Sequence, residues 1–404
     1  MSDATPTGEG LSISSVYDSY TEKQLLAALY GLIFVAGVLG NSSVLLAVVL
    51  SRKPRTTTNV FVVNLAVADL ITCLSLPIMI LAVLSENREK LLVSNNLCSF
   101  QGFVLIVCIG CSFNNIASIA VYRAMITRQR NRSRLIWLFN RRCVAAMVAI
   151  NWLIPFAVGI LPVVSEFGSY EYDDKLNTCS FNPTDQGSGT FSIILVAIFY
   201  PVQLLATFLS YSFILFTVKN YFRRVNVLSD EPPLAVVGGV MRPPSHSQPG
   251  TSQQHHLSGS AREAFSASNQ ELPLTAPILW GGRHRYLPAN RPPSHAAAAR
   301  QPARARPRFR RNLDVTFSLF LVVFFFILCC TPYSVLIALL EDKSQKYVPF
   351  LGALLVSNSC INPVIYTARH PDFKAVIRCI MLCRFPKIPM KSAFLLRLLR
   401  FQRR

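Results

Sequence analysis

Apolar residues gather into seven long runs separated by more polar stretches, one of them long. The runs are Leu25–Leu50, Val60–Leu84, Leu97–Val121, Cys143–Val164, Phe191–Val218, Val315–Leu340 and Tyr347–Thr367. Each is close to the ~20 residues a helix needs to cross the hydrocarbon of a bilayer. Leu97–Val121 carries no charge, and Cys98 and Arg123 bracket it 25 residues apart. As one helix that separation is about 37 Å, nearly the full thickness of a membrane. The pattern predicts an all-α membrane protein, a bundle of seven transmembrane helices. Interior prolines (Pro155, Pro201, Pro332, Pro363) are compatible with such helices, because neighbours satisfy the freed carbonyls.

The flanks divide the chain further. Residues 1–24 read as a polar outer tail with no signal peptide and no Asn-x-Ser/Thr acceptor, so Leu25–Leu50 is expected to be its own insertion signal. Residues 25–220 hold the first five helices and 313–368 the last two. Between them, 221–312 is rich in Pro, Ser, Ala and Arg and reads as a long disordered third inner loop. It contains five of the six histidines, which without partners read as solvated and not as a metal site. In 369–404 a short amphipathic eighth helix is expected, with Phe373, Val376, Ile377 and Ile380 on one face, followed by a basic tail. Cys379 and Cys383 beside that tail are candidate lipidation sites.

Composition agrees with the pattern: 51% of the residues are hydrophobic and mean hydropathy is +0.38. A net charge of +20 on a soluble protein would suggest nucleic acid. Here the charge is split across a membrane. With the N-terminus outside, the outer segments hold only Lys23, Arg88, Lys90, Lys175, Lys343 and Lys346 of the 40 basic residues. The asymmetry orients the chain with its N-terminus outside. No zinc-type Cys/His spacing occurs, and no nucleophile, base and orienting group occur together outside the membrane, so no enzyme is expected.

Several motifs carry a resemblance. Asp69 is the only acid deep in an apolar run, within Asn64–Leu70, and an intramembrane carboxylate needs an interior partner. Gly40-Asn41, Trp152, Pro332 and Asn362-Pro363-Val364-Ile365-Tyr366 follow in order. Together with Cys98 and Arg123, this chain resembles the rhodopsin-like (class A) G-protein-coupled receptors across all seven helices. Within them it resembles the melatonin-like and invertebrate orphan groups. The resemblance implies a receptor for an extracellular ligand that activates heterotrimeric G proteins. A transporter or channel is the alternative, weakened by a single interior charge and no internal repeat; a seven-helix scaffold without coupling is another.

On this topology Cys98 and Cys179 are the only outer cysteines, and in an oxidising space they are expected to form a disulfide, free thiols being the alternative. The resemblance assigns Asp69, Ser112, Asn358 and Asn362 to an allosteric sodium ion; no other cofactor is expected. It assigns Tyr122-Arg123-Ala124, Phe326, Pro332, Asn362, Pro363 and Tyr366 to the coupling switch. Phe103, Leu105, Cys330 and Tyr333 are the candidate ligand-pocket residues. Three departures stand out. Tyr122 replaces the acid that would hold Arg123, leaving Asp314 as a possible substitute. Cys330 replaces the tryptophan of the sixth helix. Tyr211 lies ten residues after Pro201, where the family spacing is eight, which does not support pairing with Tyr366. Leu105 stands where aminergic receptors carry an aspartate, and Val356 where opsins carry lysine. The pocket is therefore expected to suit an apolar small molecule or lipid, with a basic peptide steered by the acidic outer loop as the other option.

Overall fold

A computed structural model describes residues 15–127, 140–164, 168–182, 200–229, 302–339 and 342–401. The histidine-bearing stretch of the third inner loop and the first part of the fifth apolar run lie outside these residues. The helices are α1 (Tyr20–Leu50), α2 (Thr57–Leu84), α3 (Asn95–Thr127), α4 (Arg141–Val164), α5 (Pro201–Ser229), α6 (Pro302–Ala338), α7 (Val348–Arg369), α8 (Lys374–Met381) and α9 (Ala393–Phe401). Seven of them, α1 to α7, contain spans long and apolar enough to cross a bilayer.

Their side chains sort as lipid demands. On α1, Leu25, Leu32, Leu39 and Leu46 recur every seven residues and are all exposed, while Leu26, Ile33 and Val44 are buried. In water such a stripe would be an aggregation liability; in hydrocarbon it costs nothing. Close approach replaces the hydrophobic drive between helices. A Cβ at Gly40 would come within 2.8 Å of Pro363, so only glycine lets α1 lie this near α7. Asn41 closes the same contact, its Nδ2 donating to the Gly37 carbonyl at 2.9 Å and the Ser359 carbonyl at 3.0 Å.

One expectation needs amendment. The stretch expected to be loop, 221–312, is helical at both ends, because α5 continues to Ser229 and α6 begins at Pro302. A nucleated membrane helix extends through Arg- and Ala-rich sequence at little further cost. The outer loop is not wholly irregular. Strands β1 (Ser169–Asp173) and β2 (Thr178–Asn182) form an antiparallel hairpin with Tyr172 opposite Cys179. Tyr170 and Tyr172 alternate inward, giving the period of two a half-buried strand requires.

The tail of the chain is also structured. After α8, residues 385–401 turn back to the inner end of α1, where Lys391 forms an antiparallel bridge with Ser51 and α9 follows.

Candidate functional site

The disulfide comes first, because it fixes the roof of the bundle at the N-terminal end of α3. Cys98 and Cys179 are bonded, with Cα atoms 5.0 Å apart. Both are buried in a small cluster with Ala82, Val93 and Tyr172. Ser99 Oγ donates to the Tyr170 carbonyl at 2.5 Å, adding a polar tie between α3 and the hairpin. The end of the N-terminal tail docks on the same hairpin. The Val16 amide donates to the Lys175 carbonyl at 2.9 Å, and the Tyr17 hydroxyl to the Leu176 carbonyl at 2.8 Å. Burial pushes the Tyr17 phenol up, so it stays a neutral donor at any physiological pH.

Beneath this roof lies a cavity of about 1140 Å³. Its deep wall is Leu105, Ile106, Ile109, Phe113, Tyr200, Tyr333 and Val356. The charged lining residues are Arg88, Asp173, Asp174 and Lys175, all at the outer mouth. The Arg88 guanidinium pairs with Glu171 at 2.9 Å and Asp174 at 3.3 Å, while Asp173 Oδ1 accepts from the Lys175 and Leu176 amides. Of the four expected pocket residues, Leu105 and Tyr333 line the cavity. Phe103 faces away from it, its ring packed on Phe156 (5.8 Å) and Tyr170 (6.2 Å). Cys330 is fully buried in the main core and is not among the lining residues. One turn of α3 separates faces that point to the cavity from faces that point to α4, a distinction apolar residues do not signal in sequence.

Below the cavity, Phe326 meets Phe113 edge-on at 4.7 Å and Tyr200 at 6.1 Å, joining α3, α5 and α6. The Tyr200 and Thr331 hydroxyls share a hydrogen bond one residue before Pro332. Cys329 Sγ lies 3.6 Å from Ser357 Oγ on α7.

Asp69 is buried at the centre of the bundle. Its Oδ1 accepts from Ser112 Oγ and Ser359 Oγ, each at 2.9 Å, and its Oδ2 from Asn362 Nδ2 at 2.9 Å. Ser112 and Asn362 are where the sequence reading expected them; Ser359, its neighbour in sequence and not Asn358, supplies the third donor. The Asn358 and Asn362 Oδ1 atoms are buried and have no hydrogen-bond partner among the described residues. A carboxylate from α2, hydroxyls from α3 and α7, and two further amide oxygens from α7 form a donor set whose chemistry fits a hard monovalent cation.

At the end of the bundle away from the disulfide, Tyr122 is buried with its ring 5.4 Å from Phe61. Three groups act electrostatically on the Arg123 guanidinium: Tyr211, Asp372 and Tyr122. Asp314, considered in sequence as a substitute counter-ion, is exposed at the start of the membrane span of α6. Among the described acids, Asp372 is the one whose charge favours the Arg123 cation. It is only 4% exposed, in the turn between α7 and α8, and its Oδ2 accepts from Asn59 Nδ2 at 3.3 Å. Tyr211 is also interior, in one cluster with Tyr366, while Leu209 two residues earlier is exposed. Thr207, Tyr211 and Ile214 repeat at four and three residues along the buried face of α5, so this helix turns Tyr211 inward despite its offset from Pro201. Tyr366 stacks near His370 (6.1 Å) and Phe373 (6.0 Å). Ala124 is half-buried against the core. Cys383 is exposed at the end of α8, and Cys379 is half-buried.

Comparison with known proteins supports the same architecture. The family model "7 transmembrane receptor (rhodopsin family)" matches residues 40–366. The chain is 25% identical over 368 residues to the G-protein coupled receptor moody of Drosophila melanogaster, covering 87% of this chain and 50% of that one. It is 31% identical over 169 residues to melatonin receptor type 1B-A of Danio rerio, covering 42% of this chain and 56% of that one. It thus spans about half the length of the curated relatives it matches first. Among solved structures, squid rhodopsin superposes with a TM-score of 0.63 at 17% identity, over 89% of this chain and 80% of that one. The melatonin-like and invertebrate resemblance read from the motifs reappears in these relatives.

Proposed function

The chain belongs to the rhodopsin family of seven-transmembrane receptors, a family of receptors and not of enzymes, transporters or channels, and from that premise we propose that it binds an apolar small molecule or lipid from outside and activates a heterotrimeric G protein inside. The observation that carries the ligand class is the distribution of charge in the cavity. Its deep wall holds no carboxylate, lysine or arginine, only apolar side chains and tyrosine hydroxyls, and at its mouth Arg88 is paired with Glu171 and Asp174. A cationic amine would enter the deep wall without a counter-ion, and a basic peptide would have to break the Arg88 pairs to use Glu171 or Asp174. A cavity of this size suits a drug-sized or acyl-chain ligand. Ile109→Trp should narrow it. Cells carrying G-protein activation sensors, screened with apolar and amphipathic compounds, should respond through the natural chain and lose at least tenfold in potency with Ile109→Trp. Responses only to strongly cationic ligands would overturn the ligand class.

The proposed orientation has the N-terminus outside and the third inner loop in the cytosol, in the plasma membrane, because 34 of the 40 basic residues then lie inside or at the inner rim. An epitope inserted near residue 260 should stain permeabilised cells only; staining of intact cells would reverse the assignment. Exposed Cys383 beside the basic tail is the proposed acylation site, with half-buried Cys379 as its neighbour.

Sodium is proposed at Asp69, held by the carboxylate with the Ser112 and Ser359 hydroxyls and the Asn358 and Asn362 amide oxygens. The ion would favour the resting bundle and lower agonist affinity by linkage. Melting of the purified receptor should therefore rise by several degrees when sodium replaces a bulky organic cation at equal ionic strength, and Asp69→Asn should remove that rise. A sodium effect that survives the substitution would put the ion elsewhere.

A further inference from the structure

The chain after α8 contains no acid and seven basic residues: Arg384, Lys387, Lys391, Arg397, Arg400, Arg403 and Arg404. Its backbone is anchored to the inner end of α1. The Arg52 amide donates to the Met390 carbonyl at 2.8 Å, the Ser392 amide to the Leu50 carbonyl at 2.9 Å, and Ser51 Oγ to the Pro389 carbonyl at 2.6 Å. Ser392 then caps α9, its Oγ accepting from the Leu395 amide at 3.2 Å. The segment is thus fixed beside the point where the lipid-facing stripe of α1 ends, below exposed Leu46 and Val49.

The nine residues of α9, AFLLRLLRF, form a helix whose apolar arc is wider than the protein covers. Leu395 is buried and Leu399 packs on the core. Phe394, Leu398 and Phe401, spaced four and three apart on the adjoining face, are exposed, Phe401 at 80%. Arg397 and Arg400 flank this face and are exposed. Large apolar side chains left open beside arginines, on a helix continuous with a lipid-facing surface, match an interfacial helix and not a soluble tail. The positive charge selects the lipid.

We propose that α9 is a second in-plane membrane helix, which inserts Phe394, Leu398 and Phe401 among acyl chains and binds anionic phospholipid headgroups through Arg397 and Arg400. It would extend the inner footprint of the receptor away from α8 and make the position of the first inner loop, bridged through Ser51 and Lys391, depend on leaflet charge. The cytosolic leaflet is the anionic one, so the physiological consequence rests on the orientation proposed above. The contact itself does not, provided both leaflets carry the lipid.

The test uses the full-length receptor in nanodiscs of phosphatidylcholine alone or with 30% phosphatidylserine in both leaflets, read by hydrogen–deuterium exchange. Amides 393–401 should exchange at least about fivefold more slowly with phosphatidylserine, and 0.5 M salt or Arg397→Glu/Arg400→Glu should remove the difference. Residues 386–392, held by the bridge, should be indifferent to lipid. Equal exchange of 393–401 in both lipids would overturn the proposal. So would protection that appears only on adding a G protein, which would make this face a protein-docking surface.

Discussion

Receptors carrying Cys98→Ala or Cys179→Ala should largely fail to reach the cell surface, and the double variant should be no worse than either single one. The bond closes a loop across a sequence separation of 81. On a chain-entropy account a closure of that length contributes about 4.5 kcal/mol, an upper figure because the membrane already restrains α3. Its local consequences are as large. The disulfide seats Tyr172 and Cys179 in the cluster under the hairpin, and the hairpin receives Tyr17 and Val16 of the tail and carries the paired Asp174. Without the bond the roof of the cavity keeps its tie to α3 through Ser99 and ring packing. Both substitutions remove the same bond, so their effects should not add. Additive losses in surface staining would show that each cysteine acts separately.

Asp372→Asn should raise signalling without ligand, and Arg123→Ala should abolish signalling while leaving surface density intact. The acid that usually precedes the arginine is Tyr122 here, whose hydroxyl is no counter-ion at neutral pH. Asp372 supplies negative charge instead, from a buried position steadied by Asn59 and by the turn into α8. As a reference scale, an exposed ion pair is worth about 0–1 kcal/mol and disrupting a buried one costs about 3–5 kcal/mol. A loss near 1.4 kcal/mol would shift the resting equilibrium about tenfold. Basal G-protein activation at matched receptor density should therefore rise several-fold in Asp372→Asn, an isosteric change that keeps the hydrogen-bonding shape. An unchanged or lower basal signal would mean that Tyr211 and core packing alone hold Arg123.

Much of this arrangement was legible in the chain. The seven helices follow from apolar length, and the central acid stood out because it is the only one in those runs. Ser112 and Asn362 were found by motif, but Ser359 was not. Asn358 and Ser359 are both polar, and a helix turns about 100° per residue, so sequence alone did not reveal which of them faces Asp69. Asp372 was missed for a different reason. It lies beyond the seventh helix, far from Arg123 in sequence, and only the fold of the α7–α8 turn brings them together. The hairpin had a signal in the alternation of Ser169-Tyr170-Glu171-Tyr172-Asp173, obscured by the polar loop around it. For α9 the signal was Ser392 followed by leucines and phenylalanines at helical spacing, in a stretch whose charge suggested only a basic tail.

Nucleotide exchange on purified heterotrimers tests the central claim most directly, with the receptor in nanodiscs and no ligand added. The natural chain should drive exchange above empty discs for at least one heterotrimer class, Asp372→Asn should drive it faster, and Arg123→Ala should return it to background. Exchange at background for all three proteins with every heterotrimer class would contradict the account and leave a seven-helix scaffold that does not couple.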